Sequence, residues 1–353
     1  MAASSLINLP LCMLVSNITD WPALPRASKL STELHFCGPC VPVPQMPVRR
    51  GARFPGIVAG AITRRHGIVM RGMTRLHADC IVHCMRVFAT SDLHTDYKEN
   101  FRWLQELSDI AYRNDALIVA GDISDRLEVI RETLRLLRGK FRHVFFTPGN
   151  HELWVRGSDF HSVEKLQRVL DLCDEIDVII RPFRLEDLWV VPLFSWYDGV
   201  FQPEIIEDRT AARYSWADFH LCKWPTEITS LPDYFLRMNE PHIKTYDAPV
   251  ITFSHFLPRP DLLPPREYLR ISWLPSVSIC AALDTQIRGL SSTIHVCGHT
   301  HISFDRIVDD VRYVQSPVRY PKERTSSSFP IKMIWRTPLP APHYEAELAS
   351  TRQ

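Results

Sequence analysis

The chain has 353 residues, of which 45% are hydrophobic and 23% are charged, and its formal net charge is +1. This composition is ordinary for a soluble globular protein, and no apolar run reaches the roughly 18 residues that indicate a membrane span. The near-neutral total conceals a split, because residues 1–78 contain nine basic and two acidic residues and the remainder is acidic overall. An acidic remainder argues against nucleic acid as a partner held by general charge attraction.

Residues 1–80 are predicted to be a disordered presequence rather than a domain. They contain eight prolines, show no sustained helical or strand period, and accumulate arginines toward their end. Arg-rich, acid-poor composition is typical of organelle transit peptides, which predicts a plastid or mitochondrial location. The alternatives are an untargeted disordered tail or a mis-called start codon, with Met70 and Met73 as possible later starts, and a cytoplasmic location.

Nine cysteines are spread along the chain, an odd number. Cys37-Gly38-Pro39-Cys40 is similar to a thioredoxin-type redox motif, but that motif needs a helix after it. The prolines at 42, 44 and 47 forbid such a helix, so we interpret the match as a coincidence. The six cysteines from Cys80 onward have no paired spacing and are predicted to be reduced thiols.

From Cys84 onward, apolar strands alternate with amphipathic helices. The first three predicted strands are Arg86–Thr90, Ala116–Ala120 and His143–Thr147. Helical stripes of apolar residues follow them from Phe101 to Ala111, from Leu127 to Leu137 with Gly139 as a C-cap, and from Val163 to Cys173. This alternation predicts βαβ units and a parallel sheet.

The second half of the chain has shorter predicted strands. These are Val178–Ile180, Trp189–Phe194, Val250–Phe253, Thr293–Cys297 and Arg312–Val314. Among them lies an irregular stretch, Asp198–Asp247, with eight aromatic residues that speak against disorder. It is either a helical insert over the site that sets substrate choice or a packed flank. Residues 337–353 form a predicted Pro-rich tail.

Five short clusters of Asp, Asn and His follow apolar runs. In chain order they are Asp92-Leu93-His94, Gly121-Asp122-Ile123-Ser124-Asp125, Gly149-Asn150-His151-Glu152, His255 and Gly298-His299-Thr300-His301. Because ligands of parallel sheets bind beyond the carboxyl ends of the strands, Asp92, Asp122 and Asn150 are expected at one rim. Oxygen and imidazole ligands without thiolates suit Mn, Fe, Zn or Mg. Two such ions bridged by one carboxylate would form a site that attacks phosphate esters.

These clusters resemble the calcineurin-like metallophosphoesterase superfamily over about residues 86–320. The pattern D-x-H, G-D-x-x-D, G-N-H-E, H and G-H-x-H is present without a missing member. The resemblance implies an α/β fold, a four-layer α/β/β/α sandwich of two mixed sheets flanked by helices, in a catalytic domain over residues 84–336. It also implies a dinuclear metal-dependent hydrolase of a phosphomonoester, phosphodiester or nucleotide, with a metal-bridged hydroxide as the nucleophile.

The resemblance further implies a role for each motif position. One metal would be held by Asp92, His94, Asp122 and His301. The other would be held by Asp122, Asn150, His255 and His299, with Asp122 as the bridge. His151 would lie over the phosphate and protonate the leaving alcohol, and Asp125 would hydrogen-bond His151 and keep it charged. Arg126 occupies a position that helps bind phosphate in the phosphoprotein phosphatases, although their wider pattern is absent here.

Two other functions fit this pattern less well. A non-catalytic scaffold on the same fold often lacks the histidine at position 151, yet His151 and all seven predicted ligands are present. A nuclease function is not supported, because the sequence predicts no basic surface that would bind nucleic acid. We therefore expect a small phosphoester substrate and two divalent metal ions, with no nucleic acid and no membrane span.

Overall fold

The computed structural model describes residues 85–199, 215–324 and 331–337. The predicted presequence, the Cys37–Cys40 motif and nearly all of the Pro-rich tail lie outside these ranges, so their interpretation stays a prediction. Within the described ranges, no helix combines the length and the apolar character that crossing a bilayer requires. Cys173, Cys222, Cys280 and Cys297 are free thiols, as expected.

Two mixed sheets and their flanking helices make up the described part of the chain. The strands are β1 (Arg86–Thr90), β2 (Ala116–Ala120), β3 (His143–Thr147), β4 (Phe183–Leu185), β5 (Leu188–Pro192), β6 (Val250–Phe253), β7 (Ser292–Cys297), β8 (Phe304–Val308), β9 (Val311–Gln315) and β10 (Lys332–Arg336). The α-helices are α1 (Lys98–Glu106), α2 (Leu127–Lys140), α3 (Ser162–Glu175), α4 (Asp218–Leu221), α5 (Leu231–Met238) and α6 (Ala282–Gly289).

The first sheet has the strand order β10-β1-β2-β3. Strands β1, β2 and β3 are parallel, and β10 pairs antiparallel with β1. The apolar run Ala116–Ala120 is buried at every position, as expected for a central strand that is covered on both faces. Because the three parallel strands point the same way, the first three polar clusters emerge at one edge of this sheet.

The second sheet has the strand order β4-β5-β6-β7-β9-β8. Strands β5, β6, β7 and β9 are parallel, whereas β4 and β8 are antiparallel at the two edges. His255 follows β6 and Gly298 follows β7, so the last two polar clusters also lie at the carboxyl ends of neighbouring parallel strands.

The core lies in three layers between sheets and helices. Between the two sheets, side chains such as Ile118 and Phe145 pack with Ile251 and Val296. The outer face of the first sheet packs against α1, α2 and α3, and the outer face of the second packs against α6. This arrangement confirms the predicted four-layer α/β/β/α sandwich.

Several predicted boundaries are wrong. Helix α1 ends at Glu106, because Ser108 Oγ accepts hydrogen bonds from the backbone N–H groups of Ile110 and Ala111 and ends the helical pattern. Ile110 is 78% exposed rather than part of the apolar stripe. Residues 178–180 form only a single bridge between Phe145 and Ile179. Gly139 lies inside α2, which ends one residue later.

Candidate metal centre

The loops that carry the polar clusters are tied together through their backbones. The N–H of Asp92 donates to the carbonyl of Gly121 at 3.0 Å, and the N–H of His94 donates to the carbonyl of Asp122 at 2.9 Å. The N–H of His299 donates to the Asp92 carboxylate at 2.8 Å, which joins the edge of the second sheet to that of the first. All seven predicted metal ligands are buried at this junction.

Sharp turns at the strand ends aim the predicted ligands into a common space. Five of them have positive φ angles, namely Asp92 (52°), His94 (41°), Asp122 (58°), His299 (75°) and His301 (57°). Non-glycine residues seldom adopt this left-handed backbone, and each instance costs about 1–3 kcal/mol. Strain of this kind persists at functional sites, where the surrounding structure holds it in place.

Glycines make room for the close approach of these loops. A Cβ atom at Gly149 would overlap the Asp122 carboxylate and the His255 ring. Gly121 has a φ of +80°, and a Cβ there would also meet His255. Glycine is therefore required at both positions, because any larger residue would force the ligands apart.

Glu152 fastens the loops after β2 and β3 to each other. Its Oε2 accepts the N–H groups of Asp122 (3.0 Å) and Gly149 (2.6 Å), and its Oε1 accepts those of Ile123 (2.6 Å) and Ser124 (3.2 Å). The side chain is fully buried. Glu152 is the last residue of the Gly-Asn-His-Glu cluster, but nothing in the sequence indicates that it accepts these four backbone hydrogen bonds.

Ligand atoms in the predicted first metal group lie close together. Asp92, His94 and His301 each offer an atom, and these atoms lie within 4.8 Å of one another. His94 Nε2 is 3.0 Å from His301 Nε2, and His301 Nε2 is 3.6 Å from Asp92 Oδ1. His94, Asp122 and His151 also offer atoms that all lie within 4.8 Å of one another.

The predicted second metal group surrounds the side-chain oxygen of Asn150. This Oδ1 atom is 3.1 Å from His255 Nε2 and 3.0 Å from His299 Nδ1. Asp122 Oδ2 lies 3.3 Å from His255 Nε2. Asp122 thus lies near His94 of the first group and near His255 and His299 of the second, which is the position expected for the predicted bridge.

Hydrogen bonds to the outer nitrogens orient three of the histidines. His255 Nδ1 donates to the carbonyl of Ala120 (2.8 Å), His299 Nε2 donates to that of Val277 (2.9 Å), and His301 Nδ1 donates to Glu323 (2.6 Å). A neutral imidazole that donates from one nitrogen leaves a lone pair on the other. In each case the opposite nitrogen faces the cluster, where a metal ion would displace any proton on it, which is the arrangement of histidines that bind metals.

The charges of the cluster fit a cation. Burial opposes ionisation of Asp122, but the neighbouring His255 and His151 hold its pKa well below the usual range. Burial lowers the pKa of His94 and His299, which keeps them neutral. Burial also opposes protonation of His255, but Asp122 raises its pKa to about 9. Lone pairs that converge at about 3 Å around a carboxylate repel one another unless a cation or proton separates them, so this donor set fits divalent metal ions.

His151 lies beside the two groups, with Trp154 on its far face. The backbone N–H of His151 donates to Asp122 Oδ1 at 3.1 Å. The centroids of the His151 and Trp154 rings are 3.7 Å apart. Nε2 of His151 is 3.4 Å from the hydroxyl of Tyr320, which sequence reasoning missed. Tyr320 is buried, and its ring stacks on that of His94.

Asp125 does not contact His151 as the sequence predicted. Its carboxylate is paired with the guanidinium of Arg156, an oppositely charged neighbour on the loop after β3. Arg126 is exposed at the N-terminus of α2, and its side chain has no hydrogen bond or ion pair with any described residue. The structure therefore places Asp125 and Arg126 at the rim and not among the buried ligands.

The stretch Asp198–Asp247 contributes both to the site and to the core. Trp216 lies edge-on to His299, with ring centroids 5.6 Å apart. Trp224 instead packs on Trp196 and Phe235 in an aromatic cluster away from the ligands. Asp218 reaches the predicted ligand Asn150 at 2.9 Å, and burial raises its pKa to about 6. No sequence pattern indicates the role of Asp218, because its partners lie far away along the chain.

Comparison with known proteins decides the family. A model of calcineurin-like phosphoesterases matches residues 85–303, which is more than half of the chain. The chain belongs to the calcineurin-like phosphoesterase family. It is therefore a hydrolase of phosphoester bonds, which confirms the resemblance of the polar clusters. The matched region contains every predicted ligand.

Two comparisons point to a particular relative within this family. The chain is 30% identical over 270 residues to the [acyl-carrier-protein] phosphodiesterase PptH of Mycobacterium tuberculosis, covering 67% of this chain and 78% of that protein. Its fold is similar to the crystal structure of phosphopantetheinyl hydrolase (PptH) from Mycobacterium tuberculosis. That superposition has a TM-score of 0.61 and 26% identity, and it covers 73% of this chain and 99% of the other.

Proposed function

We propose that this protein is a phosphodiesterase that releases the phosphopantetheinyl group from acyl carrier protein at a dinuclear metal centre. The observation that carries the proposal is the set of inward-facing ligand atoms around Asp122. His255, His299 and His301 each point a ring nitrogen there, fixed by a hydrogen bond on the opposite nitrogen. The similarity to PptH supports the choice of substrate.

Asp92, His94, Asp122 and His301 would hold one metal, and Asp122, Asn150, His255 and His299 would hold the other. Two divalent ions would offset the charge on the phosphate oxygens and supply a nucleophile near neutral pH. The ionised Asp122 would bind both, because a carboxylate has two oxygens. His255, His299 and His301 are oriented by the hydrogen bonds on their other ring nitrogens, so these side chains would need little reorganisation when metals bind.

His151 would serve the leaving group. A carrier-protein alkoxide is a poor leaving group, and a proton from a positioned side chain lowers the cost of its departure. Burial lowers the pKa of His151 to about 4, whereas an anionic phosphate beside the ring would favour the protonated form. Arg126 lies at the rim, where its exposed guanidinium could meet the phosphate or the carrier protein.

The test is to incubate the purified full-length protein and Mn²⁺ with a holo acyl carrier protein. Mass spectrometry of both products should show a carrier that has lost its phosphopantetheinyl group and free phosphopantetheine that retains the phosphate. The matched control is Asp122→Asn, which removes the bridging charge and should abolish metal binding and turnover together. An intact carrier, alongside rapid hydrolysis of simple nitrophenyl esters, would reject the substrate while leaving the phosphoesterase chemistry in place.

A further inference from the structure

We propose that Asp218 is a positioning residue that fixes the orientation of Asn150 and thereby sets the occupancy of the second metal site. Asp218 is the first residue of α4, within the stretch that the sequence marked as an insert, and it is only 2% exposed. Its role depends on the proposed metal centre and extends it to a residue outside the family's motif positions.

Three side-chain N–H groups converge on the Asp218 carboxylate. Asn150 Nδ2 and Trp154 Nε1 donate to Oδ1 at 2.9 and 2.6 Å, and Trp216 Nε1 donates to Oδ2 at 2.7 Å. A buried carboxylate is costly to desolvate unless it is hydrogen-bonded, and these donors supply that compensation. They come from the loop after β3 and from the insert, so the carboxylate joins the two segments.

A carboxylate is suited to this place because its oxygens only accept hydrogen bonds. Facing Asp218, the amide of Asn150 must present its nitrogen, and its Oδ1 is then left pointing at the other side. That oxygen lies 3.1 Å from His255 Nε2 and 3.0 Å from His299 Nδ1. An amide at position 218 could both donate and accept, so Asn150 could turn over and offer an NH₂ group, which cannot bind a cation.

The same carboxylate also fixes the aromatic surroundings of the centre. Trp154 lies against the His151 ring with centroids 3.7 Å apart, and Trp216 lies edge-on to His299 at 5.6 Å. These two indoles would be held in place even if Asp218 served only to pack the insert against the core. The effect on Asn150 distinguishes the two roles, because packing alone predicts no change at one metal site in particular.

The central experiment compares Asp218→Asn with the unmodified protein. Each protein is stripped with a chelator and titrated with Mn²⁺, with stoichiometry and affinity read by calorimetry and metal content by mass spectrometry. We expect D218N to bind one Mn²⁺ normally and the second about 10–100-fold more weakly, the usual effect of removing a partner that orients a ligand. Two equally tight Mn²⁺ sites in D218N would overturn the proposal.

Asp115→Asn is the matched control for general destabilisation. Asp115 is also 2% exposed and hydrogen-bonded, but its partner is Arg86 and it precedes β2, at the opposite end of the strand from the ligands. D115N should lower the melting temperature of the stripped protein without changing Mn²⁺ binding. A loss of the second Mn²⁺ in D115N would show that any destabilisation empties this site, and would also overturn the proposal.

Trp216→Phe tests the role without disturbing Asn150. It removes one hydrogen bond to Asp218 but keeps the ring beside His299 and the bond from Asn150. We expect both Mn²⁺ sites to survive in W216F, whereas loss of the second would place the effect in the insert rather than in Asn150. Failure of the unmodified protein to bind two Mn²⁺ would refute the metal centre itself, which is a different outcome from normal binding by D218N.

Discussion

The hydroxyl of Tyr320 lies 3.4 Å from Nε2 of His151, the residue expected to protonate the leaving alcohol. The Tyr320 ring stacks on His94 with centroids 4.2 Å apart, and the backbone N–H of Tyr320 donates to Glu323 at 3.2 Å. Glu323 also accepts from His301, so one short turn after β9 serves both a predicted metal ligand and His151. The Tyr320 hydroxyl thus makes the contact with His151 that the sequence analysis expected from Asp125.

Replacing Tyr320 by Phe should slow the reaction while sparing the metals. The change removes only the hydroxyl, and one hydrogen bond contributes about 0.5–1.5 kcal/mol, so kcat should fall about 2–10-fold. The stack on His94 remains, so metal content should be unchanged. Tyr112→Phe, in the helix-side cluster of the first sheet, is the control and should have normal kcat. Equal kcat for Y320F and the unmodified protein would show that the hydroxyl does not act on His151.

Replacing His151 by Ala should retain both metals and lower turnover strongly. Loss of one acid–base group costs about 10²–10⁴-fold. The loss should shrink for nitrophenyl esters, whose leaving group needs little protonation, so the measurement is kcat for good and poor leaving groups. Because His151 also lies within 4.8 Å of ligand atoms of His94 and Asp122, metal content must be measured alongside. A missing metal would make His151 a ligand instead of a proton donor.

Two tryptophans of the insert should respond differently to truncation. Trp216 adjoins His299, so Trp216→Ala should raise KM for the carrier substrate and leave small phosphoesters less affected. Trp224 is partly buried and packs on Trp196 and Phe235, so Trp224→Ala should lower the free energy of unfolding by about 1–3 kcal/mol with unchanged kinetics. Urea unfolding and steady-state kinetics on both variants make the comparison. Identical effects of the two changes would contradict a role of Trp216 in binding the carrier substrate.

His295 should make the fold sensitive to acid. It is fully buried between Thr252 and Ser254, and burial lowers its pKa to about 3. Below about pH 6.5 the unfolded chain binds a proton at His295, whereas the folded chain does not do so until the pH reaches about 3. The free energy of unfolding therefore falls as the pH drops from 6.5 toward 3. The slope is about 1.4 kcal/mol per pH unit for one such group.

The matched variant is His295→Gln, which keeps polar atoms near the two hydroxyls but does not titrate. It should be less stable than the unmodified protein at pH 7. The difference between the two should narrow as pH falls from 6.5 toward 4, as measured by urea unfolding at each pH. A constant difference across this range would mean that His295 is protonated in the folded protein.

Local patterns were sufficient to predict the three parallel strands of the first sheet and the convergence of the clusters. Strands β1, β2, β3 and β6 have the predicted bounds, because each is a largely apolar run that is followed directly by a serine, a glycine or a proline. Their parallel direction then brings Asp92, Asp122 and Asn150 to one edge without further information. The family is confirmed, and the individual roles of the ligands stay predictions.

Contacts between distant segments could not be predicted in the same way. Asp218 is 68 residues from Asn150, and Tyr320 is 169 residues from His151. Neither has a neighbouring pattern, because a single Asp or Tyr in a loop is common on any surface. The edge strands β4, β8 and β10 were also missed, since an edge strand with one exposed face has no continuous apolar run. Asp125 was assigned to His151 only by analogy, and the nearby Arg156 takes its carboxylate instead.

Glu152 makes the loops after β2 and β3 move as one body. Four backbone N–H groups from the two loops end on its two oxygens, so neither loop can shift alone without leaving buried donors unpaired. Adaptation to the proposed carrier-protein substrate would then come from other residues beside the cluster, such as Trp216 and Tyr320. A chain graft between relatives that exchanged the residues around Trp216 but kept Asp218 and Tyr320 should change which phosphoester is hydrolysed while the metal ligands and His151 keep their contacts.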